Sequence, residues 1–450
     1  MLMANYEQYK NSGIDWVGNV PASWNRSRIK FLLSHSSAGV WGEDEKGDKN
    51  DIVCFRAADF DYSHGCLKLD NNTMRNIQPK QLEGRVLHKR DLLIEKSGGG
   101  DATPVGRIVR LNYDGIATCS NFMHFISVDK YNDDNYLFYY FYAMYANNVN
   151  ILFFNQTTGI QNLKVSEYLG QTIFLPPLNK QSSIAKYLDK KCSEIDNVIS
   201  AQQKRIALLQ ELKQSVITHA VTKGLNPNVE MKDSGVDWID EIPANWEVLP
   251  LKRVGTMNKG LTFTKADIVE KGNAAISYGQ VHSKLNEGIS LQDELIRFVP
   301  NTFVSNAEKS IAYQGDFIFA DTSEDYEGCG NCVYNDTTRP IYGGYHTIVL
   351  QTKYSDAKFL AYLFKTDYWR YQIRSRVYGV KVFSITQSIL SLCSVILPPK
   401  EVQKDIVSFL DGKCKAINIS IDNALVQISL LQEYKQSLIT EVVTGKRKVC

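Results

Sequence analysis

The chain has 450 residues, 44% of them hydrophobic and 22% charged, with a formal net charge of only +2. Such values fit a globular protein with room for two to four domains and give no bulk basicity for binding nucleic acid, so any basic surface has to be local. Nine cysteines, an odd number at irregular spacing with no secretory signal ahead of them, point to reduced thiols in a cytoplasm.

In chain order, the first distinctive stretch is Lys10-Asn11-Ser12-Gly13-Ile14-Asp15-Trp16, leading to Pro21-Ala22-Ser23-Trp24. It returns 222 residues later as Lys232-Asp233-Ser234-Gly235-Val236-Asp237-Trp238 and Pro243-Ala244-Asn245-Trp246. Four of the six tryptophans fall in these two copies. A Trp–x7–Trp pair with proline between reads either as an anchor burying aromatic area against a neighbour or as a plain domain start.

A body from Phe31 to Phe174 follows. Arg90-Asp91-Leu92-Leu93-Ile94 reads as a strand and has an echo in Gly315-Asp316-Phe317-Ile318-Phe319; Lys130-Tyr131-Asn132-Asp133 is echoed by Lys353-Tyr354-Ser355-Asp356. Ser97-Gly98-Gly99-Gly100 suits a phosphate cradle or a turn at a strand tip. Tyr136 to Ala146, the longest uncharged apolar run, is too short to span a bilayer and reads as a buried helix. Leu163 to Leu175, after Gly159, reads as strands or strand–turn units.

Leu175-Pro176-Pro177 then opens a long helical pattern. Ile195, Ile199, Gln202, Ile206, Leu209, Val216 and Ala220 fall at alternating steps of four and three with one heptad step skipped, a narrow seam that wants a partner helix. Pro177 marks a start and Gly224 a stop. The second copy begins at Leu397-Pro398-Pro399, carries Ile417, Ile421, Ala424, Ile428, Leu431, Leu438 and Val442, and stops at Gly445. About 42 residues make about 63 Å of helix. Two such helices in matched register predict an antiparallel pair and an approximate two-fold axis within the chain; the alternative is two independent surface helices on two domains.

After the linker Gly224-Leu225-Asn226-Pro227-Asn228 and the second anchor comes a second body, Arg253 to Ile396, in which Lys358 to Tyr371 reads as a helix and Phe383 to Leu397 as another strand run. The predicted fold is α/β: two mixed α/β domains separated by two long helices forming an antiparallel coiled coil. Its divisions are 1–174, 175–224, 225–396 and 397–450.

The Ser-Gly-x-Asp-Trp…Pro-Ala-x-Trp anchors and the Leu-Pro-Pro…Leu-x-x-x-Lys-Gln-Ser…Ile-Thr helices resemble the specificity subunit of type I restriction–modification systems. The resemblance covers the whole chain. It implies that each body is a target recognition domain reading one half of a split double-stranded DNA sequence. It also implies that the helices act as spacer and as docking surface for two modification (methyltransferase) subunits, with restriction (translocase/nuclease) subunits joining the larger complex. S-adenosylmethionine, ATP and Mg2+ would then belong to partner chains and no cofactor to this one. The setting is cytoplasmic, in defence against foreign DNA.

The residues agree with a chain that is not itself an enzyme. There is no Gly-x-x-x-x-Gly-Lys-Ser/Thr loop and no Asn/Asp-Pro-Pro-Tyr/Phe run to hold a flipped adenine. Cys329-Gly330-Asn331-Cys332 is a lone Cys-x-x-Cys, too little for zinc. Candidate DNA-binding residues, chosen by chemistry and loop context, are Lys96, Ser97, Arg107, Gln161, Asn162 and Lys164 in body one. In body two they are Arg370, Arg374, Arg376 and Lys381, interleaved with Trp369, Tyr371 and Tyr378. The coiled-coil interface is assigned to Ile195, Ile199, Ile206, Leu209, Val216, Ile417, Ile421, Ile428, Leu431 and Leu438. A protein-binding scaffold with two interaction domains is the alternative.

Overall fold

The structure, a computed structural model, describes residues 6–157, 159–236, 239–353, 357–379 and 381–449. Two compact units divide the chain: one takes the residues up to Lys204 and those from Ala424 on, the other Arg205–Asn423. Both cut across the long helices, Leu178–Lys223 and Lys400–Val443, so each unit owns a part of each helix.

Each helix starts one residue after its proline pair. A first-turn glutamine ties each helix to the carbonyl ahead of it: Gln181 Nε2 donates to Pro176 O at 3.0 Å, and Gln403 Nε2 to Pro398 O at 2.7 Å. At 46 and 44 residues the helices run about 69 and 66 Å. In the first unit, Ile195 and Leu438 share one core, with Ile199 and Leu431 packed at its edge. In the second, Ile217, Ala220 and Val221 meet Ile406, Leu410 and Cys414, with Val216 alongside. The early part of one helix thus lies against the late part of the other in each unit, which requires antiparallel chains. Ile417 is buried, and Ile206, Leu209, Ile421 and Ile428 are half-buried. None of the ten seam residues is exposed, whereas Leu208, Leu212, Leu430 and Tyr434, beside the seam, are.

The anchors close these helices. Tyr9–Asn11 pairs with Asn19–Pro21, and Met231–Val236 with Ile239–Pro243. Trp24 packs against Gly445 at the end of the second long helix, and Trp246 against Gly224 at the end of the first; both indoles are 2% exposed. Of the anchor pairs, Asp237 and Trp238 lie outside the described residues, as does Tyr354 to Asp356 of the later echo.

The bodies share a plan that their sequences hardly show. Each has a four-stranded antiparallel sheet: Ile108–Arg110, Asp91–Glu95, Met123–Val128, Leu33–Ala38 in the first, and Gly255–Lys259, Thr347–Thr352, Phe317–Ala320, Cys332–Tyr334 in the second. A second four-stranded sheet packs on it through a core of Phe55, Leu93 and Phe125, or of Ile276, Ile318 and Val349. One aspartate on each long helix ties down its body. Asp189 accepts from Arg110 Nη1 at 2.7 Å and Tyr139 OH at 2.8 Å; Asp411 accepts from Lys358 Nζ at 2.8 Å and Tyr362 OH at 2.6 Å.

Two expectations change. The helix expected over Lys358 to Tyr371 is two helices, Lys358–Phe364 and Asp367–Arg374. Buried Thr366 separates them and caps the second by accepting from Trp369 N. The runs expected to be strands or strand–turn units each enclose a short helix, Val165–Leu169 or Gln387–Leu392.

Candidate nucleic-acid interface

In body one the strand Asp91–Glu95 runs on into Ser97–Gly98, which pairs with Ile160–Leu163, and that strand pairs with Phe154–Thr157. The result is a hairpin beside a glycine-rich turn. Lys96 N and Ser97 N both donate to Phe122 O at 2.9 Å, bringing a third loop to the same tip. Ser97 Oγ donates to Asn162 Oδ1 at 2.8 Å. The Lys96 ammonium forms no hydrogen bond or ion pair among the described residues. Asn162 and Lys164 are exposed, and Lys164 reaches only Glu167, at 3.9 Å.

Two predicted residues have other duties. Gln161 is 2% exposed and its Oε1 accepts from Val105 N, so it supports the turn rather than facing solvent. Arg107 grips Glu95 with two bonds, at 2.9 and 3.1 Å, and stacks on Tyr62 at 3.8 Å. Burial would lower its pKa, but the Glu95 bond and charge outweigh it and raise it. Of the two readings of the glycine run, the turn fits better. Gly100 N already bonds Thr103 O, and a Cβ on Gly99 (φ +64°) would press on Val105 N and Gln161 Oε1.

Sequence reasoning missed Asn155, Gln156 and Phe122. Asn155 lies opposite Asn162 in the hairpin and both are exposed, as is Gln156; Phe122 is exposed at the tip. The signal available was the polar alternation of Asn155-Gln156 ahead of Gly159.

Body two repeats this tip with other residues. The strand Phe317–Ala320 runs on to Thr322–Ser323, which pairs with Phe383–Ser384. Asp321 N donates to His346 O as Lys96 N does to Phe122 O, and Ile385 N donates to Asp321 O as Leu163 N does to Lys96 O. Lys96, Ser97, Phe122 and Asn162 therefore correspond to Asp321, Thr322, His346 and Ser384.

The residues chosen in body two lie elsewhere. Arg370 Nη1 donates to Glu327 O at 2.9 Å; Arg374 donates to Tyr326 O, Glu327 O and Glu327 Oε2 at 2.7–3.0 Å. Both guanidiniums pin one loop. Arg376 donates to Gln372 O, and Trp369 is core. Lys381 and Tyr378 remain exposed. Composition drew attention to this helix because a solvent-facing and a loop-pinning arginine look alike in sequence. Cys329 and Cys332 are buried, and burial pushes the Cys332 thiol up to about 12. Among the described residues no group of three His, Cys, Asp or Glu is placed to hold a metal.

Residues 40–208 and 243–426 match the family described as type I restriction modification DNA specificity domain. The type I restriction enzyme MjaVIII specificity subunit of Methanocaldococcus jannaschii is 25% identical over 324 residues, 71% of this chain and 72% of that protein. The putative MjaX specificity subunit of the same organism is 39% identical over 77 residues, 17% and 16% of the two chains. Among solved structures, a chain from work on complex assembly and conformational transition of the type I R-M system superposes with a TM-score of 0.69 at 15% identity, over 94% of this chain and 98% of that one. The HsdS subunit from Thermoanaerobacter tengcongensis gives 0.51 at 15% identity, over 95% and 98%. At such identities the structures speak for a shared fold.

Proposed function

The chain belongs to the type I restriction modification DNA specificity family, and on that premise we propose that it is the DNA sequence-recognition subunit of a type I restriction–modification complex, reading a bipartite target with its two bodies. The observation that carries this is the pair of corresponding strand tips: one backbone frame presents Lys96, Ser97, Phe122 and Asn162 in one body and Asp321, Thr322, His346 and Ser384 in the other. A repeated frame with changed side chains is what two readers of two different half-sites need, since side-chain donors and acceptors carry the sequence information.

In this reading the chain has no catalytic activity. Methyl transfer with S-adenosylmethionine, and ATP- and Mg2+-dependent translocation and cleavage, belong to two modification subunits and to restriction subunits. The doubled helices serve as their docking surface and as a ruler for the unread spacer between half-sites. The exposed apolar residues Leu208, Leu212, Leu430 and Tyr434, equivalent in pairs across the repeat, support docking of two like partners. No described helix is long and apolar enough to cross a membrane, which accords with a cytoplasmic setting.

The test is reconstitution with the modification subunits followed by gel shift and methylation mapping. Salt-sensitive binding and methylation at one split sequence are expected. A complex that methylates without sequence preference would point instead to a protein-binding scaffold.

A further inference from the structure

We propose that the second reader recognises one base of its half-site through His346, with Asp321 as its positioning residue and an exocyclic amino group of adenine or cytosine as the group bound. This rests on the DNA-reading function above and names a specificity residue within it.

His346 holds the place of exposed Phe122 in the first reader. Its backbone has φ +54°, a conformation side-chain-bearing residues rarely adopt. The Asp321 N–H to His346 O bond, at 3.1 Å, already closes the loop. The ring is fixed as well. Nδ1 lies 2.9 Å from Asp321 Oδ1, and the Thr322 hydroxyl donates to that same oxygen at 2.8 Å. A carboxylate only accepts, so Nδ1 carries the hydrogen, and in the neutral form of the ring the lone pair is on Nε2. Nε2 has no partner among the described residues, and the side chain is 40% exposed. Tyr345 meets the ring edge-on at 4.1 Å and Tyr278 at 5.8 Å, which restricts its plane.

The outcome is an exposed acceptor set in advance on a rigid mount. In the major groove adenine N6 and cytosine N4 are donors, whereas guanine and thymine offer O6 and O4 acceptors in their stead. An Nε2 lone pair pairs with the first two and is repelled by the others. Loop closure alone would require neither the ring nor its lock.

The test uses the complete complex with its modification subunits, a randomised DNA library and mapping of methylated sites. His346→Gly removes the ring at a positive φ that glycine adopts without strain. It is expected to lose the preference at one position of one half-site, with about tenfold or greater loss of affinity for the wild-type site, the size of one base contact. Asp321→Ala frees the tautomer and is expected to relax the same position towards all four bases while leaving the other half-site unchanged. Unfolding temperatures near wild type certify both variants. Folded variants that keep the wild-type motif overturn the proposal, as does a uniform loss of binding to every sequence, the mark of a purely structural role. A wild-type complex with no sequence preference overturns the DNA-reading function first and this inference with it.

Discussion

Lys435 places its ammonium 2.7 Å from both carboxylate oxygens of Asp196, with the two side chains 11% and 18% exposed. The same Nζ donates to Ser63 O at 2.9 Å. The positions 222 residues away hold Lys213 and Asn418, joined at 2.8 Å. One unit uses an ion pair where the other uses a neutral acceptor. Replacing Asp196 by Asn should therefore reproduce an arrangement the chain already tolerates, at a cost of about 1 kcal/mol. Lys435→Met strands a largely buried carboxylate and should cost about 3 kcal/mol. Denaturant midpoints of the two variants decide the ordering.

The long helices, their seam and their terminal glycines were legible because repetition and 3.5-residue spacing are local signals. The strand Asp91–Glu95 and its counterpart Phe317–Ala320 were legible for the same reason. Their shared entry turn was not: Arg90 and Gly315 both have positive φ, at +78° and +94°, and only one of them is glycine. The strand tip of body two stayed hidden because Asp321, His346 and Ser384 come together only through strand pairing. Nothing in sequence shows that Glu327 lies beside Arg374.

Gly445 should resist substitution more than Gly224. Both have left-handed φ, +75° and +79°. A Cβ on Gly224 would meet Trp246 at 3.2 Å, a contact the indole can relieve by shifting slightly, whereas one on Gly445 would clash with Cδ and Cγ of Pro21 and crowd Trp24. Gly224→Ala is expected to cost about 1–2 kcal/mol from the backbone alone, and Gly445→Ala more. Equal melting temperatures for the two variants would contradict this packing.

Two substitutions in the first body test the proposed split between positioning and specificity. Lys96→Ala should weaken binding about equally on all sequences and reduce the salt slope by about one, as expected for a lost phosphate contact. Asn162→Ala should relax one base of the first half-site. Salt titration of gel shifts, compared with methylation mapping, distinguishes the two effects.

Burial holds the His124 imidazole down at about 4, and the positive charges of Lys96 and His35 push the same way. In the unfolded chain the same ring titrates near 6.5. As pH falls, the unfolded chain takes up its proton first. The contribution is thus complete above about 6.5, is lost as pH drops from there towards 4, and changes no further below. His124→Gln, which retains a polar partner for Ser36 Oγ, should flatten stability over that interval. An unchanged profile by thermal melts at pH 4 to 7 would place the ring in water.

The ruler can be tested by length. Seven residues are two helical turns, so inserting them between Ile195 and Leu212, and again at the matching place between Ile417 and Tyr434, preserves the phase of the seam. Each helix grows by about 10.5 Å, the rise of about three base pairs at 3.4 Å each. The half-sites depend on the two strand tips, which the insertion leaves untouched. Methylome sequencing should return the same half-sites with a spacer about three base pairs longer. New half-sites would mean that the helices take part in reading bases, and an unchanged spacer would mean that their length sets nothing.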